Sequence, residues 1–210
     1  MTILMSDPRV TRIPLHEVDD PMVDLLDLAP GATGLSRLVR RGVLDRLREA
    51  QRALPAGIGL RVVEGCRSAH DQASIIEAYS AQVRACRPDA SDEELHDLTS
   101  RHVAPLATAP HVAGAAVDLT LVDADGHELW MGSALDATPE ESDGRCFTDA
   151  PGLDAVARSH RAMLVAALAP TGLVNYPTEW WHWSYGDRYW AHVTGATHAV
   201  YGAVPAADAA

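Results

Sequence analysis

The chain contains no lysine: all 17 of its basic residues are arginine, against 29 acidic residues, and its formal net charge is -12. A chain without lysine cannot use a Schiff-base lysine, a Walker-motif lysine or a Ser-Lys pair in catalysis. It also lacks the clusters of basic residues that neutralise nucleic-acid phosphates. These shortages exclude several classes of enzyme, and we expect no nucleic-acid partner.

Long apolar runs and targeting signals are scarce as well. The longest apolar stretch, residues 163–174, is interrupted by Pro170 and Gly172 and is shorter than the roughly 20 residues that a membrane span requires. Residues 1–12 lack the basic region and the apolar core of a signal peptide. We therefore expect a cytoplasmic protein with no membrane partner. The sequence is compatible with a homo-oligomer.

Cysteine is rare, and its spacing carries no metal or redox motif. The chain has three cysteines, which are Cys66, Cys86 and Cys146. They lie too far apart for a Cys-x-x-Cys pair, and an odd number would leave one thiol unpaired in a secreted protein. This pattern favours a reducing compartment.

The 210 residues are 47% apolar and 22% charged, which is typical of a single globular domain. Four prolines in residues 1–34 predict an extended N-terminal arm, followed by a folded domain over residues 35–210. Helical spacing and capping residues predict helices over residues 36–54, from Ser68 to Pro88, from Ser91 to Leu98, and over 153–169. Alternation predicts strands at 58–63 and 117–122, a hairpin partner at 128–131, a long loop at 132–152, and strand and turn after 170.

Several catalytic motifs are missing. The pairs His16-Glu17 and His127-Glu128 begin like the helical zinc motif, but neither is followed by the second histidine that this motif requires. No Gly-x-Ser-x-Gly elbow, P-loop or dinucleotide-binding glycine motif follows a predicted strand.

Two short segments do hold metal-binding residue types. Residues 110–120 read PHVAGAAVDLT and carry His111 and Asp118, whereas residues 176–183 read YPTEWWHW and carry a glutamate and a histidine. Two histidines and one carboxylate leave the fourth position of zinc open to water. The spacing alone also allows three structural roles: a histidine that caps a loop, an aspartate that caps a turn and a histidine packed among tryptophans.

The second segment raises a geometric requirement. Glu179 and His182 are three residues apart, so a flat strand would direct them to opposite faces of a sheet. A turn after Pro177 must bend the glutamate back if both are to serve one site.

Both segments resemble one known family. His111, Gly114, Ala116 and Asp118 match the pattern His-x-x-Gly-x-Ala-x-Asp, and residues 175–182 (NYPTEWWH) contain Glu-x-x-His. These patterns are similar to those of the zinc D-alanyl-D-alanine dipeptidases of the M15 peptidase group, of the VanX type. Two further segments resemble the family: residues 131–136 (MGSALD), and residues 64–67 (EGCR) followed by Gln72.

The resemblance implies a role for each matching residue. One zinc ion per chain is implied, with His111, Asp118 and His182 as its ligands. Glu179 is implied as general base and acid, and Arg67 as the stabiliser of the developing oxyanion. Asp136 is implied as the anchor for the ammonium group of the substrate. The implied fold is an α+β domain with a central antiparallel sheet flanked by helices, as in the Hedgehog and DD-peptidase group, so that residues 35–210 form the zinc peptidase domain.

The implied activity is hydrolysis of D-Ala-D-Ala, or a closely related small dipeptide, in cell-wall precursor metabolism or glycopeptide resistance. Two departures from the family pattern bear on the substrate, because Ala109 replaces a frequent serine and Cys66 replaces an aromatic residue. A D,D-carboxypeptidase or endopeptidase acting on peptidoglycan peptides is one alternative. A non-catalytic zinc-binding module is another, although Glu179 would have no task in it.

Overall fold

A four-stranded antiparallel sheet lies at the centre of the computed structural model, which describes residues 2–205. The strands are β1 (Met22–Asp24), β2 (Leu38–Arg40), β3 (Gly59–Glu64), β4 (Ala116–Val122), β5 (Val174–Asn175) and β6 (His182–Ser184). The central sheet has the order β3-β4-β6-β5, and β1 and β2 form a separate antiparallel pair. The predicted α+β class with a central antiparallel sheet is confirmed.

The helices flank this sheet. They are α1 (Pro8–Thr11), α2 (Arg41–Ala53), α3 (Ala69–Cys86), α4 (Asp92–Thr99), α5 (Ala155–Leu168) and α6 (Arg188–Thr194). Leu47 of α2 and Leu164 of α5 join the core cluster that also contains Leu119 and Leu121 of β4. Since side chains alternate along a strand, this register directs Asp118 away from that core.

Helices α3 and α4 form a smaller layer with its own apolar cluster around Tyr79, Val83 and Val103. The predicted caps are present, because the Ser68 hydroxyl accepts from the Asp71 amide, and Ser91 with Glu94 forms a capping box. These local signals fix where both helices begin. Within residues 2–205, no helix is both long and apolar enough to cross a bilayer.

The N-terminal segment packs closely on the domain. Its strand β1 pairs with β2, and Leu25 and Leu28 belong to the core cluster. Met5 and Val10 form a second apolar cluster together with Tyr176. Residues of the first 34 positions therefore contribute apolar side chains to the interior.

The predicted helix over residues 36–54 is wrong at its start. Helix α2 begins at Arg41, because Leu38–Arg40 pairs as a strand with Met22–Asp24 and residues 34–37 form a 3-10 turn. The periodicity of the apolar residues continues through the strand. Backbone pairing with distant segments sets the conformation there: β2 pairs with β1, the Arg40 amide donates to the Gly114 carbonyl, and the Leu38 carbonyl accepts from the Cys66 amide.

Two further local predictions were incomplete. Residues 128–131 return antiparallel to β4, as predicted, but form an isolated bridge between Val122 and Glu128 rather than a strand, with one further bond from the Leu129 amide to the Leu121 carbonyl. The tail also contains helix α6, whose N-cap is Asp187.

Candidate active site

The register of the central sheet brings three polar side chains into one row. Asp118 on β4 pairs directly with His182 on β6 and, on its other side, with Glu64 on β3. Directly opposite residues of antiparallel strands point to the same face. Glu64, Asp118 and His182 therefore lie side by side on the face of the sheet opposite the main core.

His111 reaches this row from a 3-10 turn, His111–Ala113. The turn ends at Gly114 with φ of 62°, a left-handed conformation that favours glycine, and a Cβ there would lie 2.6 Å from the end of the Met22 side chain. The His111 Nδ1 atom lies 2.6 Å from the Gly65 carbonyl oxygen. This contact holds the ring by donating from Nδ1, which leaves the lone pair on Nε2 for the site.

Three ligand-type atoms meet at the row. His111 Nε2 lies 3.1 Å from His182 Nδ1 and 3.3 Å from Asp118 Oδ1, and His182 Nδ1 lies 3.0 Å from Asp118 Oδ1. All three residues are buried, with at most 5% of each exposed. The structure thus gathers a compact triangle of two imidazole nitrogens and one carboxylate oxygen.

The protonation of the triangle follows from its contacts. Burial alone would raise the pKa of Asp118, but His111 and His182 hold this pKa well below its usual range. Burial lowers the pKa of His182. Burial would also lower the pKa of His111, but Asp118 overcomes it and raises this pKa. Asp118 is therefore a carboxylate, and a bound cation would replace the proton that His111 otherwise holds.

The donor set fits zinc in type and in spacing. Tetrahedral zinc with ligands at about 2.0–2.2 Å places those ligands roughly 3.3 Å apart, close to the separations in the triangle. His182 faces the triangle through Nδ1, so its proton lies on Nε2, which is buried and has no hydrogen-bond partner among residues 2–205. The three residues could therefore hold one zinc ion.

Glu179 lies beside the triangle because the chain turns between Tyr176 and His182. The Glu179 amide donates to the Tyr176 carbonyl at 2.9 Å, and the His182 amide donates to the Glu179 carbonyl at 3.2 Å. The turn places Glu179 Oε2 3.8 Å from His182 Nδ1. Burial, followed by the charges of Asp118 and Asp136, raises the pKa of Glu179 well above its usual range. A carboxylate of raised pKa next to a metal-ligating set is suited to accept a proton.

Arg67 is held rigidly at the wall of the same cavity. Its Nε and Nη2 atoms donate to the two Glu64 carboxylate oxygens at 2.7 and 2.5 Å, and its Nη1 donates to Gln72 Oε1 at 2.9 Å. Gln72 in turn donates to the Ala104 carbonyl at 2.8 Å. Since a guanidinium has five N–H donors, two remain for a ligand.

Asp136 lies on the loop at the rim of the cavity, in a left-handed conformation with φ of 61° that aspartate tolerates better than most residues. Enclosure by the cavity walls, followed by the charges of Asp118 and Glu64, raises the pKa of Asp136 to about 7, although the residue keeps an exposed face.

Arg161 closes the base of the Asp136 loop. This buried guanidinium donates to the carbonyls of Met131 at 2.6 Å, Phe147 at 2.5 Å and Arg145 at 2.6 Å. Burial lowers the pKa of Arg161 to about 10. One buried side chain therefore joins both ends of the loop that carries Asp136.

The side chains surround a cavity of about 290 Å³. All six residues implied by the family resemblance line it: Arg67, His111, Asp118, Asp136, Glu179 and His182. Sequence reasoning missed the contributions of Met5 and His102, which also line the cavity. Neither residue stands at a motif spacing. Glu64 and Gln72 belong to the segment at 64–72 that resembles the family, but the sequence did not indicate that they bind Arg67.

The chain is similar to known dipeptidases. Residues 38–200 match the M15 peptidase family, which is described as D-Ala-D-Ala dipeptidase. A D-alanyl-D-alanine dipeptidase of Synechocystis is 29% identical over 133 residues, covering 58% of this chain and 54% of that protein. One of Escherichia coli K12 is 36% identical over 72 residues, covering 34% and 35%. The chain therefore spans about half the length of the first of these relatives and about a third of the second.

Among solved structures, the chain is similar to a mutant of the vancomycin resistance D,D-pentapeptidase VanY in complex with Zn(II). The TM-score is 0.49 and the identity 16%, covering 89% of this chain and 90% of that one. The family match, in contrast, extends over most of the chain and includes β2 to α6 with both motif segments. The chain thus belongs to the M15 peptidase family.

Proposed function

We propose that this protein is a zinc dipeptidase that hydrolyses D-Ala-D-Ala, or a closely related small dipeptide, to free amino acids. The observation that carries the proposal is the convergence of His111, Asp118 and His182 with Glu179 in one small cavity. Its volume of about 290 Å³ suits a molecule of dipeptide size. We further propose one zinc ion per chain and a cytoplasmic role in cell-wall precursor turnover or antibiotic resistance.

In this mechanism the buried side chains of His111, Asp118 and His182 would hold the zinc. When bound, zinc polarises the peptide carbonyl and can bring the pKa of water to about 7. Glu179 accepts the proton of the attacking water and delivers it to the leaving amine nitrogen. Arg67 offers its free N–H donors to the carbonyl oxygen as negative charge develops there.

Selection of the dipeptide is assigned to Asp136 at the rim of the cavity. A carboxylate there accepts hydrogen bonds from the free ammonium group of a dipeptide, which a longer peptide chain does not present at that position. This contact separates a dipeptidase from an enzyme that trims longer peptides.

An assay of the purified protein with three substrates, each with and without a chelator, tests the proposed function. We expect D-Ala-D-Ala to release free alanine and L-Ala-L-Ala and a muramyl pentapeptide to release little, with the chelator abolishing release. Alanine from the pentapeptide alone would instead establish a D,D-carboxypeptidase. A protein that binds zinc and hydrolyses none of the three would be a non-catalytic zinc module.

One observation favours the carboxypeptidase as the second candidate. Asp136 also borders a second cavity of about 550 Å³, which Trp130 and Arg145 line as well. A substrate that extends past Asp136 would enter this cavity. The pentapeptide arm of the assay measures this possibility directly.

Asp136→Asn is expected to raise KM about tenfold, with a smaller fall in kcat. The change removes one charge of a charge-assisted hydrogen bond, which is usually worth about 1.5–3 kcal/mol of binding free energy. Because the rim is open to solvent, we expect a loss near the lower end, roughly 1.5 kcal/mol. The ammonium group is present in both ground and transition states, so the loss falls mainly on KM. Steady-state kinetics on the free and the N-acetylated dipeptide measure it.

Asp143→Asn is the matched control, since Asp143 is an exposed acid of the same loop with φ of 52°. It should leave KM unchanged. Equal activity of the parent protein on the acetylated and the free dipeptide would contradict an ammonium pocket at Asp136.

A further inference from the structure

His102 lies behind Glu179 in the wall of the active-site cavity. It follows helix α4 in a short turn, in which its amide donates to the Thr99 carbonyl at 3.1 Å. The sequence gives it no motif spacing, and it is not one of the three ligand-type residues of the triangle.

The Glu179 carboxylate lies between two histidines. Its Oε2 atom is 3.8 Å from His182 Nδ1, whereas its Oε1 atom is 3.5 Å from His102 Nδ1. His102 Nδ1 is buried and makes no hydrogen bond within the described residues 2–205. A buried ring nitrogen without a partner is costly, and Glu179 Oε1 is an acceptor within reach of a small adjustment.

The imidazole ring of His102 is fixed by aromatic neighbours. The Tyr79 ring lies edge-on to it at a centroid distance of 5.0 Å, and Trp181 lies edge-on at 6.5 Å. Tyr79 donates its hydroxyl to Glu140 at 3.0 Å and so does not compete for the imidazole nitrogen. The ring is therefore held with its Nδ1 edge toward Glu179.

Charge supports a neutral donor at this position. Burial lowers the pKa of His102, and Arg67 acts in the same direction, whereas the acids Asp118, Glu140 and Glu141 oppose it. A neutral imidazole carries a single N–H. Such a neutral donor orients a carboxylate and leaves its charge in place. A permanent cation at the same position would neutralise that charge.

We propose that His102 is a positioning residue for Glu179, whose Oε1 atom accepts a hydrogen bond from His102 Nδ1 so that Oε2 stays directed at the triangle. The proposal rests on the proposed function, in which Glu179 is the proton acceptor. Rotation of a glutamate carboxylate about its last torsion is otherwise soft, because that torsion has broad minima. Loss of the donor should therefore reduce turnover rather than substrate binding.

The kinetic test compares His102→Leu with His102→Asn. The leucine removes the donor, and we expect kcat to fall about 10- to 100-fold, the range for a lost hydrogen bond to a charged group, with KM and zinc content unchanged. The asparagine offers an amide N–H near the Nδ1 position and should recover most of the rate. His96→Leu, an exposed histidine of α4, is the control and should match the parent protein.

A spectroscopic readout separates this proposal from the proposed function. In the zinc-loaded full chain, nitrogen-15 NMR of the imidazoles should show the His102 proton on Nδ1, and Glu179→Ala should shift that signal. A His102→Leu protein with the parent kcat, an Asn variant as slow as the Leu variant, or an unprotonated Nδ1 that ignores Glu179→Ala would each overturn the positioning role. A parent protein without peptidase activity would instead refute the proposed function, and the NMR signal would still decide the contact.

Discussion

Glu179→Gln is expected to lower kcat by about 10²-fold or more while the zinc content stays at the parent level. The amide keeps the shape of the side chain but cannot accept a proton from the attacking water, and a positioned general acid-base contributes about 10²–10⁴-fold. Glu179 Oε2 lies 3.8 Å from His182 Nδ1, outside the 3.0–3.3 Å triangle of ligand-type atoms, so metal binding should not depend on it.

Turnover of D-Ala-D-Ala and elemental analysis of the same preparation measure this effect. Glu77→Gln, at an exposed acid of α3, controls for the general loss of one negative charge and should behave as the parent protein. If Glu179→Gln and Glu179→Ala both kept near-parental rates, another residue would be the base.

Replacement of a ligand should have the other large effect. His111→Ala, Asp118→Ala and His182→Ala are each expected to reduce zinc from about one ion per chain to about a tenth or less, and to abolish turnover. A catalytic zinc site has only three protein ligands to lose. Each change also leaves the two remaining buried polar groups without their partner, and the open coordination position weakens the hold on the ion.

The second cluster of possible ligands in the structure supplies a matched control. Asp123, Asp125 and His127 also bring ligand-type atoms within 4.8 Å of one another, but at a surface turn where the two last residues are exposed. His127→Ala should therefore retain full zinc and full activity. Retention of zinc by His182→Ala would mean that the ion binds elsewhere in the chain.

The parts of the fold that local chemistry determines could be predicted from the sequence. Strand β4 alternates apolar residues with Asp118 and Thr120, and helix α3 carries its N-cap at Ser68, so both elements begin within one residue of their expected starts. The two motif segments were also recognisable, because each keeps its metal-binding residue types within eight positions.

Features that depend on distant pairing were not predictable. Leu38–Arg40 is a strand because β1 pairs with it, and no local signal separates these residues from helix α2. His102 follows α4, which packs on α3, and it approaches Glu179 across 77 positions of sequence. Helix α6 was missed although its N-cap Asp187 and the terminating Gly195 were readable.

The direct pairing of Asp118 with His182 ties metal uptake to the correctness of the sheet. A slip of one residue between β4 and β6 would set Val117 or Leu119 opposite His182 and turn the aspartate to the other face. A chain with this shifted register would therefore lack the Asp118 oxygen as one of its three ligand-type atoms. Because an ion that binds only the native pairing stabilises that pairing by mass action, zinc in a refolding mixture should select the native register over its neighbours. The same three side chains would then serve the maturation of the protein before they serve any substrate.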